Sequence, residues 1–489
     1  MKLMNLLLLL LVSLIACKPE PEKVESTNVE VSPTDQSNPN DPTNNPVMGG
    51  PTDIKMSFLD NNSVGTARII GFYSDQNFVV DTIRFSGGNL QYKNEKGLPQ
   101  GLYYFVFPTN EVIQVVLAED QQMEIVVRLS DVQNSIKIKD NKETEMFYQT
   151  ARFEGEIIPK ISSLAEKMKS LQKDSPEYKQ LKNEKDKLDA ERLKNVENQF
   201  RENPKSLFAH YKFGGQNPAI KENVSEELQV FYYRKEFWDN IDFSDRRLLR
   251  TPMIGNKLKR YFKEVTPQHP DSIFAAAKLL MSKVENHKEY FKVFANWVVL
   301  QYEPGKSTLM DSEAVFVNMV ENYFTKEKNF WSDSMQVIAI QKRAYEMSAS
   351  LIGKKAPNVI STDEFGKKQE LLSKTADYLI VYMYNPECEH CMEQTPKLRD
   401  YWIKNKGKVD VFAIAIDTDD QKWKEYIKKN NLTWTNVFDP TNRSIYAKYF
   451  VDRTPELYVI NKDRMIIGKN LKVNQIDIII DRDKAARAK

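Results

Sequence analysis

Three cysteines stand in the 489 residues: Cys17, Cys388 and Cys391. That is far too few to staple a secreted scaffold, so a cysteine here is expected to serve reactivity rather than framework. The last two form Cys388-Glu389-His390-Cys391. A dithiol at that spacing can exchange with a disulfide: one thiolate attacks a substrate sulfur, and the second thiol displaces the substrate from the mixed disulfide. A C-x-x-C alone is a weak signal, but an apolar strand, Tyr378 to Tyr384, runs into this pair and a helix begins at it. The unpaired N–H groups and partial positive charge of a helix N-terminus favour a thiolate on the first cysteine. In such motifs its pKa falls from about 8.5 to between roughly 3.5 and 7.5. His390 can donate to that thiolate, and Glu389 opposes it by like charge. Other chemistries fit these residues poorly. Zinc needs four ligands where two cysteines and His390 are on offer, and haem attachment needs a histidine where Met392 stands. A peroxidatic cysteine calls for a preceding threonine at the position that Asn385 holds. No metal and no cofactor is expected.

The pair must be positioned by a strand and helix alternation that begins at Gly353-Lys354-Lys355-Ala356-Pro357. A hairpin signal at Asp363 to Gly366 precedes the strand Tyr378 to Tyr384. A helix from Cys388 to about Lys404, a strand Val409 to Ile416 and a helix Asp420 to Asn430 follow. A short helix near Arg443 to Tyr449, strands Glu456 to Ile460 and Met465 to Lys469, and a last helix from Asn474 complete the order. Pro396 lies inside the helix that follows the cysteines, and Thr454-Pro455 immediately precedes a strand. In this order the C-terminal region resembles the TlpA/ResA-like thioredoxins.

That resemblance implies a thiol-disulfide oxidoreductase in which Cys388 attacks, Cys391 resolves, and Pro455 belongs to a cis-proline loop whose backbone pairs with an extended substrate. It implies as partners disulfide-bearing envelope proteins, apocytochrome c among the family's usual substrates, and a membrane thiol-reducing relay of the DsbD/CcdA type. His390 is expected to tune the couple, as the residue before the second cysteine does in the C-P-H-C of DsbA. Two positions depart from the family. Gln394 stands where a glutamate usually assists the second cysteine, and Tyr382 stands for the buried strand aspartate of thioredoxins. Glu393 and bound water are the remaining candidates for the base that serves Cys391. A reductase is the favoured reading. A disulfide isomerase or oxidase, or a non-catalytic binding or assembly lipoprotein with a vestigial redox pair, stays open beside it.

At the other end, Met1 and Lys2 precede an apolar run that closes on Leu14-Ile15-Ala16-Cys17. The run is too short for a membrane span of about 20 residues. It resembles a bacterial lipoprotein signal peptide with its lipobox, which implies acylation of Cys17 and anchorage to the membrane. Lys18 in place of aspartate favours the outer membrane by the sorting rule of such proteins. The stretch to Pro51 has almost no large apolar residue and reads as a disordered tether.

From Ile54 to Lys139 short β-rich runs alternate with turn clusters, the pattern of a small β-sandwich, with Tyr103, Tyr104, Phe105 and Phe107 expected in its core. From Asn141 strands give way to helical spacing, with Ser175 and Pro176 as the N-cap and first residue of the second helix of an antiparallel hairpin. The stretch from Phe237 to Asp245 is also similar to the helical region of the multidomain thioredoxin-family lipoproteins. The expected organisation is therefore a signal peptide over 1–16, a tether over 17–52, a β-sandwich over 53–140, an all-α region over 141–350 and a C-terminal α/β thioredoxin-like fold over 351–489. With 70 basic and 68 acidic residues the chain carries a net charge of +2, so nothing electrostatic points to nucleic acid. Arg246, Arg247 and Arg250 are expected to be ion-paired surface.

Overall fold

The computed structural model describes residues 41 and 43–488. The expected signal peptide, Cys17 and most of the expected tether lie outside the described residues. The described residues form two compact units, one of 43–265 and 284–290, the other of 266–283 and 291–488 with Asp41. The molecule is multidomain: a β-sandwich, a helical region and a C-terminal α/β thioredoxin-like fold.

In the first unit the strands are β1 (Thr52–Phe58), β2 (Gly65–Tyr73), β3 (Gln76–Phe85), β4 (Asn89–Asn94), β5 (Gly101–Val106), β6 (Val112–Leu117), β7 (Gln121–Val127) and β8 (Lys137–Lys139). They make two sheets in the orders β4-β1-β7-β8 and β3-β2-β5-β6. Alternation puts Ile54, Met56, Tyr103, Phe105, Ile113 and Ile125 in one core between the sheets, while Tyr104 is only partly covered. The β-rich runs expected from the sequence, Ala67 to Tyr73, Phe78 to Phe85, Leu102 to Phe107, Val112 to Leu117, Ile125 to Leu129 and Ile136 to Ile138, do not include β1 or β4. Both alternate polar residues with buried apolar ones, Ile54, Met56 and Phe58 on β1 and Leu90 and Tyr92 on β4. The tether also ends earlier than expected. Gln100 N–H donates to Val47 O at 2.8 Å and Gly49 N–H to Leu98 O at 3.0 Å, so residues from Val47 are fastened to the sandwich by backbone, which composition cannot reveal. The helices α1 (Lys142–Met168) and α2 (Pro176–Glu202) follow. Ser175 caps α2, its hydroxyl accepting from Tyr178 N–H at 3.2 Å, with Pro176 next. Arg247 pairs with Asp245 at 2.7 Å and the Arg250 guanidinium lies 5.2 Å from the Tyr73 ring centroid, so the arginine cluster is ion-paired and stacked within its own unit.

The second unit contains α3 (Ser312–Tyr323) and α4 (Ser334–Ser348), then the hairpin β9 (Ile360–Thr362) and β10 (Lys368–Glu370). Its main sheet is built from β11 (Tyr378–Tyr384), β12 (Val409–Ile416), β13 (Thr435–Asp439), β14 (Glu456–Ile460) and β15 (Ile466–Gly468), in the order β13-β12-β11-β14-β15. β11, β12 and β13 run parallel, and β14 and β15 antiparallel to their neighbours. Helices α5 (Glu389–Lys404), α6 (Asp420–Asn430), α7 (Arg443–Tyr449) and α8 (Ile476–Arg487) complete it. β11 is buried along its whole length because both faces are covered, which is why it reads as a continuous apolar run. Tyr378, Ile380, Tyr382 and Tyr384 face α5 and Cys391, while Leu379, Val381 and Met383 face the core on the other side.

Candidate redox site

The end of β11 delivers the chain to Cys388, which is the N-cap residue of α5 with extended backbone, φ −79° and ψ 122°. Its sulfur does what a capping oxygen usually does, accepting from Cys391 N–H at 3.3 Å. Cys388 is partly exposed and Cys391 is wholly buried, and both are free thiols. Burial works against a Cys388 thiolate, but hydrogen bonds from the Cys391 side chain, from Thr454 and from the backbone of Cys391 and His390 outweigh it and hold the thiol below its ordinary value. Burial pushes the Cys391 thiol up to about 12, and its contact with Cys388 adds to the rise. The two sulfurs are thus split into a partly exposed one whose thiolate is favoured and a buried thiol held protonated beneath it.

The Thr454–Pro455 peptide bond is cis, as the thioredoxin resemblance implied, and Cys388 Sγ donates to Thr454 O at 3.3 Å. The loop and the N-terminus of α5 therefore meet at one sulfur. His390 and Glu389 are exposed, and the contribution of His390 to Cys388 comes through its backbone N–H. Pro396 lies within α5, as expected.

The surroundings of Cys391 are hydroxyl-bearing, not acidic. Tyr382 Oη and Thr395 Oγ1 are 2.8 Å apart, Tyr426 Oη donates to Thr395 Oγ1 at 2.9 Å, and Tyr426 Oη also reaches Cys391 O at 3.3 Å. Tyr382 and Tyr384 stack with centroids 5.3 Å apart. Glu393, one of the candidates for the base, is on the exposed side of α5 and is paired to Lys397 at 2.6 Å, so it does not face the buried thiol. Thr395 was open to discovery from sequence, four residues after Cys391 and hence on the same helix face. Tyr426 had no such signal, because it sits on α6 and nothing local ties it to the cysteines.

Among the described residues no group of three His, Cys, Asp or Glu is gathered to hold a metal, and no helix is long and apolar enough to cross a membrane. A cleft of about 500 Å³ between the β9–β10 hairpin and the end of α6, lined by Phe365, Ile427 and Trp434, includes neither cysteine. Cys388 lies at the surface instead, with Cys391 buried beneath it.

A family described as thioredoxin-like matches residues 376–466, and one described as a domain of unknown function (DUF5106) matches residues 173–350. The thiol-disulfide oxidoreductase ResA of Bacillus cereus is 29% identical over 119 residues, which is 24% of this chain and 68% of that protein. A domain of a possible thiol-disulfide isomerase from Cytophaga hutchinsonii is 34% identical, over 28% of this chain and 97% of that one, with a TM-score of 0.27. A thioredoxin-like protein from Bacteroides caccae is 21% identical, over 54% of this chain and 97% of that one, with a TM-score of 0.46. The likeness to ResA and the match to the thioredoxin-like family fall on the segment that carries the two thiols, and through that segment the chain belongs to the TlpA/ResA-like thioredoxin family and is a thiol-disulfide oxidoreductase.

Proposed function

We propose that the chain reduces protein disulfides in the cell envelope through Cys388 and Cys391. The observation that carries this reading is the asymmetry of the pair. Cys388 is accessible, lowered in pKa and in contact with the Thr454–Pro455 loop, whereas Cys391 is buried and protonated. The Cys388 thiolate attacks one sulfur of the substrate disulfide, expelling the other as a thiolate that takes up a proton. Cys391 then gives up its proton and attacks Cys388 Sγ, releasing the substrate as a dithiol and leaving a Cys388–Cys391 disulfide. Two electrons pass to the substrate, and a membrane relay of the DsbD/CcdA type restores the dithiol. Disulfide-bearing envelope proteins, apocytochrome c among them, are the proposed substrates.

In the presence of a dithiol reductant, the full chain should catalyse reduction of insulin, and Cys388→Ser should abolish it. The reduction potential of the pair should lie nearer to the roughly −270 mV of thioredoxin than to the roughly −120 mV of DsbA. A value at the DsbA end would make the protein an oxidase and overturn the direction proposed here.

We propose also that Cys17 carries the lipid anchor, with the outer membrane as its destination, because the lipobox-like residues precede it. Cys17→Ser should move the protein from the membrane to the soluble fraction of the cell. Membrane retention of that variant with unchanged processing would exclude the anchor.

A further inference from the structure

The Thr454–Pro455 loop is bracketed in sequence by ionisable residues, Arg453 before it and Glu456 after it; Arg453 touches the distant segment 304–305, and Glu456 feels the charge of Glu313 further along that segment. Arg453 Nη2 donates to Pro304 O at 3.2 Å. Its guanidinium lies so close over Gly305 that a Cβ added there would fall 1.4 Å from Nη2. Glu456 is buried at the start of β14, in the field of Lys469 and Glu313. Lys469, just past the neighbouring β15, is 2% exposed and its Nζ stands 3.6 Å from Asp311 Oδ1 and 3.6 Å from Glu313 Oε1. Asn470 Nδ2 donates to Glu313 Oε1 at 2.9 Å, and Ile352 N–H donates to Asp311 Oδ2 at 2.8 Å. Met310, on the same segment, packs against the core cluster that Cys388 also touches.

We propose that residues 304–313, at the start of α3, are a positioning element for the redox reaction: the Asp311, Glu313 and Lys469 cluster and the Arg453 to Pro304 bond hold the Thr454–Pro455 loop in register with Cys388. A buried lysine among carboxylates is an expensive way to gain stability, since desolvation offsets much of the attraction and apolar side chains of similar volume serve as well or better. What the charges supply is a fixed position: Lys469 has its two ion-pair partners at one place on α3, and β14 is paired directly to the strand it follows. An extended substrate depends on that position, because it must pair with loop backbone while presenting its disulfide to Cys388. A small alkylating reagent needs only the Cys388 thiolate.

The two demands separate in an experiment that rests on the proposed reductase function. The full chain and the variants Arg453→Ala, Gly305→Ala and the charge-balanced Lys469→Met/Glu313→Gln are compared in insulin reduction and in alkylation of the reduced protein by iodoacetamide. Each variant should lose about tenfold in kcat/KM for insulin, mainly through KM, with less than about a twofold change in alkylation rate. Gly305→Ala matters because, leaving every loop side chain in place, it displaces the Arg453 guanidinium and also strains the segment itself, Gly305 having a φ of 80°, so it disturbs the positioning element from the 304–313 side. A loss in Arg453→Ala without one in Gly305→Ala would mean that Arg453 touches substrate directly, and the positioning role would fall. It would fall equally if insulin reduction were unchanged throughout, or if both rates dropped by the same factor. Should the double variant fail to fold, the two single variants at the exposed Arg453 contact still decide. Absence of insulin reduction in the unaltered chain would instead remove the reductase reading itself.

Discussion

Cys391→Ala should arrest the protein as mixed disulfides between Cys388 and its partners, and Cys388→Ala should yield none. Resolution depends on a thiol held beside the mixed disulfide at high effective concentration, so its loss should lower turnover by about a thousandfold or more. Cys391 cannot compete with Cys388 for the first attack, being wholly buried with its thiol pushed up to about 12. It becomes effective only when Cys388 is already bonded to substrate. The substitution also removes the side-chain hydrogen bond from Cys391 that helps lower the Cys388 thiol, while the backbone N–H groups of residue 391 and His390 remain. The Cys388 thiol of Cys391→Ala should therefore titrate above that of the unaltered chain, and trapping should strengthen as pH rises. Non-reducing electrophoresis of cells expressing each variant, with and without reductant, reads the result. Equal trapping by both variants, or none by Cys391→Ala, would contradict the assignment of attacking and resolving sulfur.

The setting of Cys388 and Cys391 was legible because its signals are local. An apolar run, a turn, a helix start, Pro396 and Thr454-Pro455 follow one another along the chain, and each reports the conformation of its own few residues. The surroundings of Cys391 were not legible, because Tyr382, Thr395 and Tyr426 come from a strand and two different helices and meet only in the folded core. The same limit applies to organisation. A change from helical spacing to strand alternation near residue 351 is a true change of local structure, yet residues 266–283 and 291–350 share one compact unit with the thioredoxin-like sheet. The contacts responsible include Asn470 to Glu313, across 157 positions of sequence, and periodicity carries no information on such pairs. In the sandwich the failure was of another kind. β1 and β4 present Ile54, Met56, Leu90 and Tyr92 inward between polar residues, and strands with this much polar content do not stand out from turns.

Glu456→Gln should stabilise the protein, and increasingly so as pH rises from mildly acidic to mildly alkaline. Burial pushes the Glu456 carboxyl from 4.5 to about 8, Lys469 opposes the rise, and Glu313 and Asp452 reinforce it. A group whose folded pKa lies above its unfolded value binds its proton more tightly in the folded state. Stability from that proton is complete below the unfolded pKa of 4.5 and is lost progressively as pH climbs through the folded pKa of about 8. Glutamine has the shape of the protonated acid and no proton to lose, so its stability should lack this decline. The difference between variant and unaltered chain should be small near pH 5, grow to about 2 to 4 kcal/mol near pH 8 and level off beyond it. Asp311 is raised by its own burial and titrates in the same sense, but it is present in both proteins, so the comparison isolates Glu456. Calorimetric unfolding of both chains from about pH 5 to about pH 9 measures the difference directly. Parallel curves over that range would show that Glu456 ionises as freely in the fold as in the unfolded chain, and that Lys469 compensates fully for its burial.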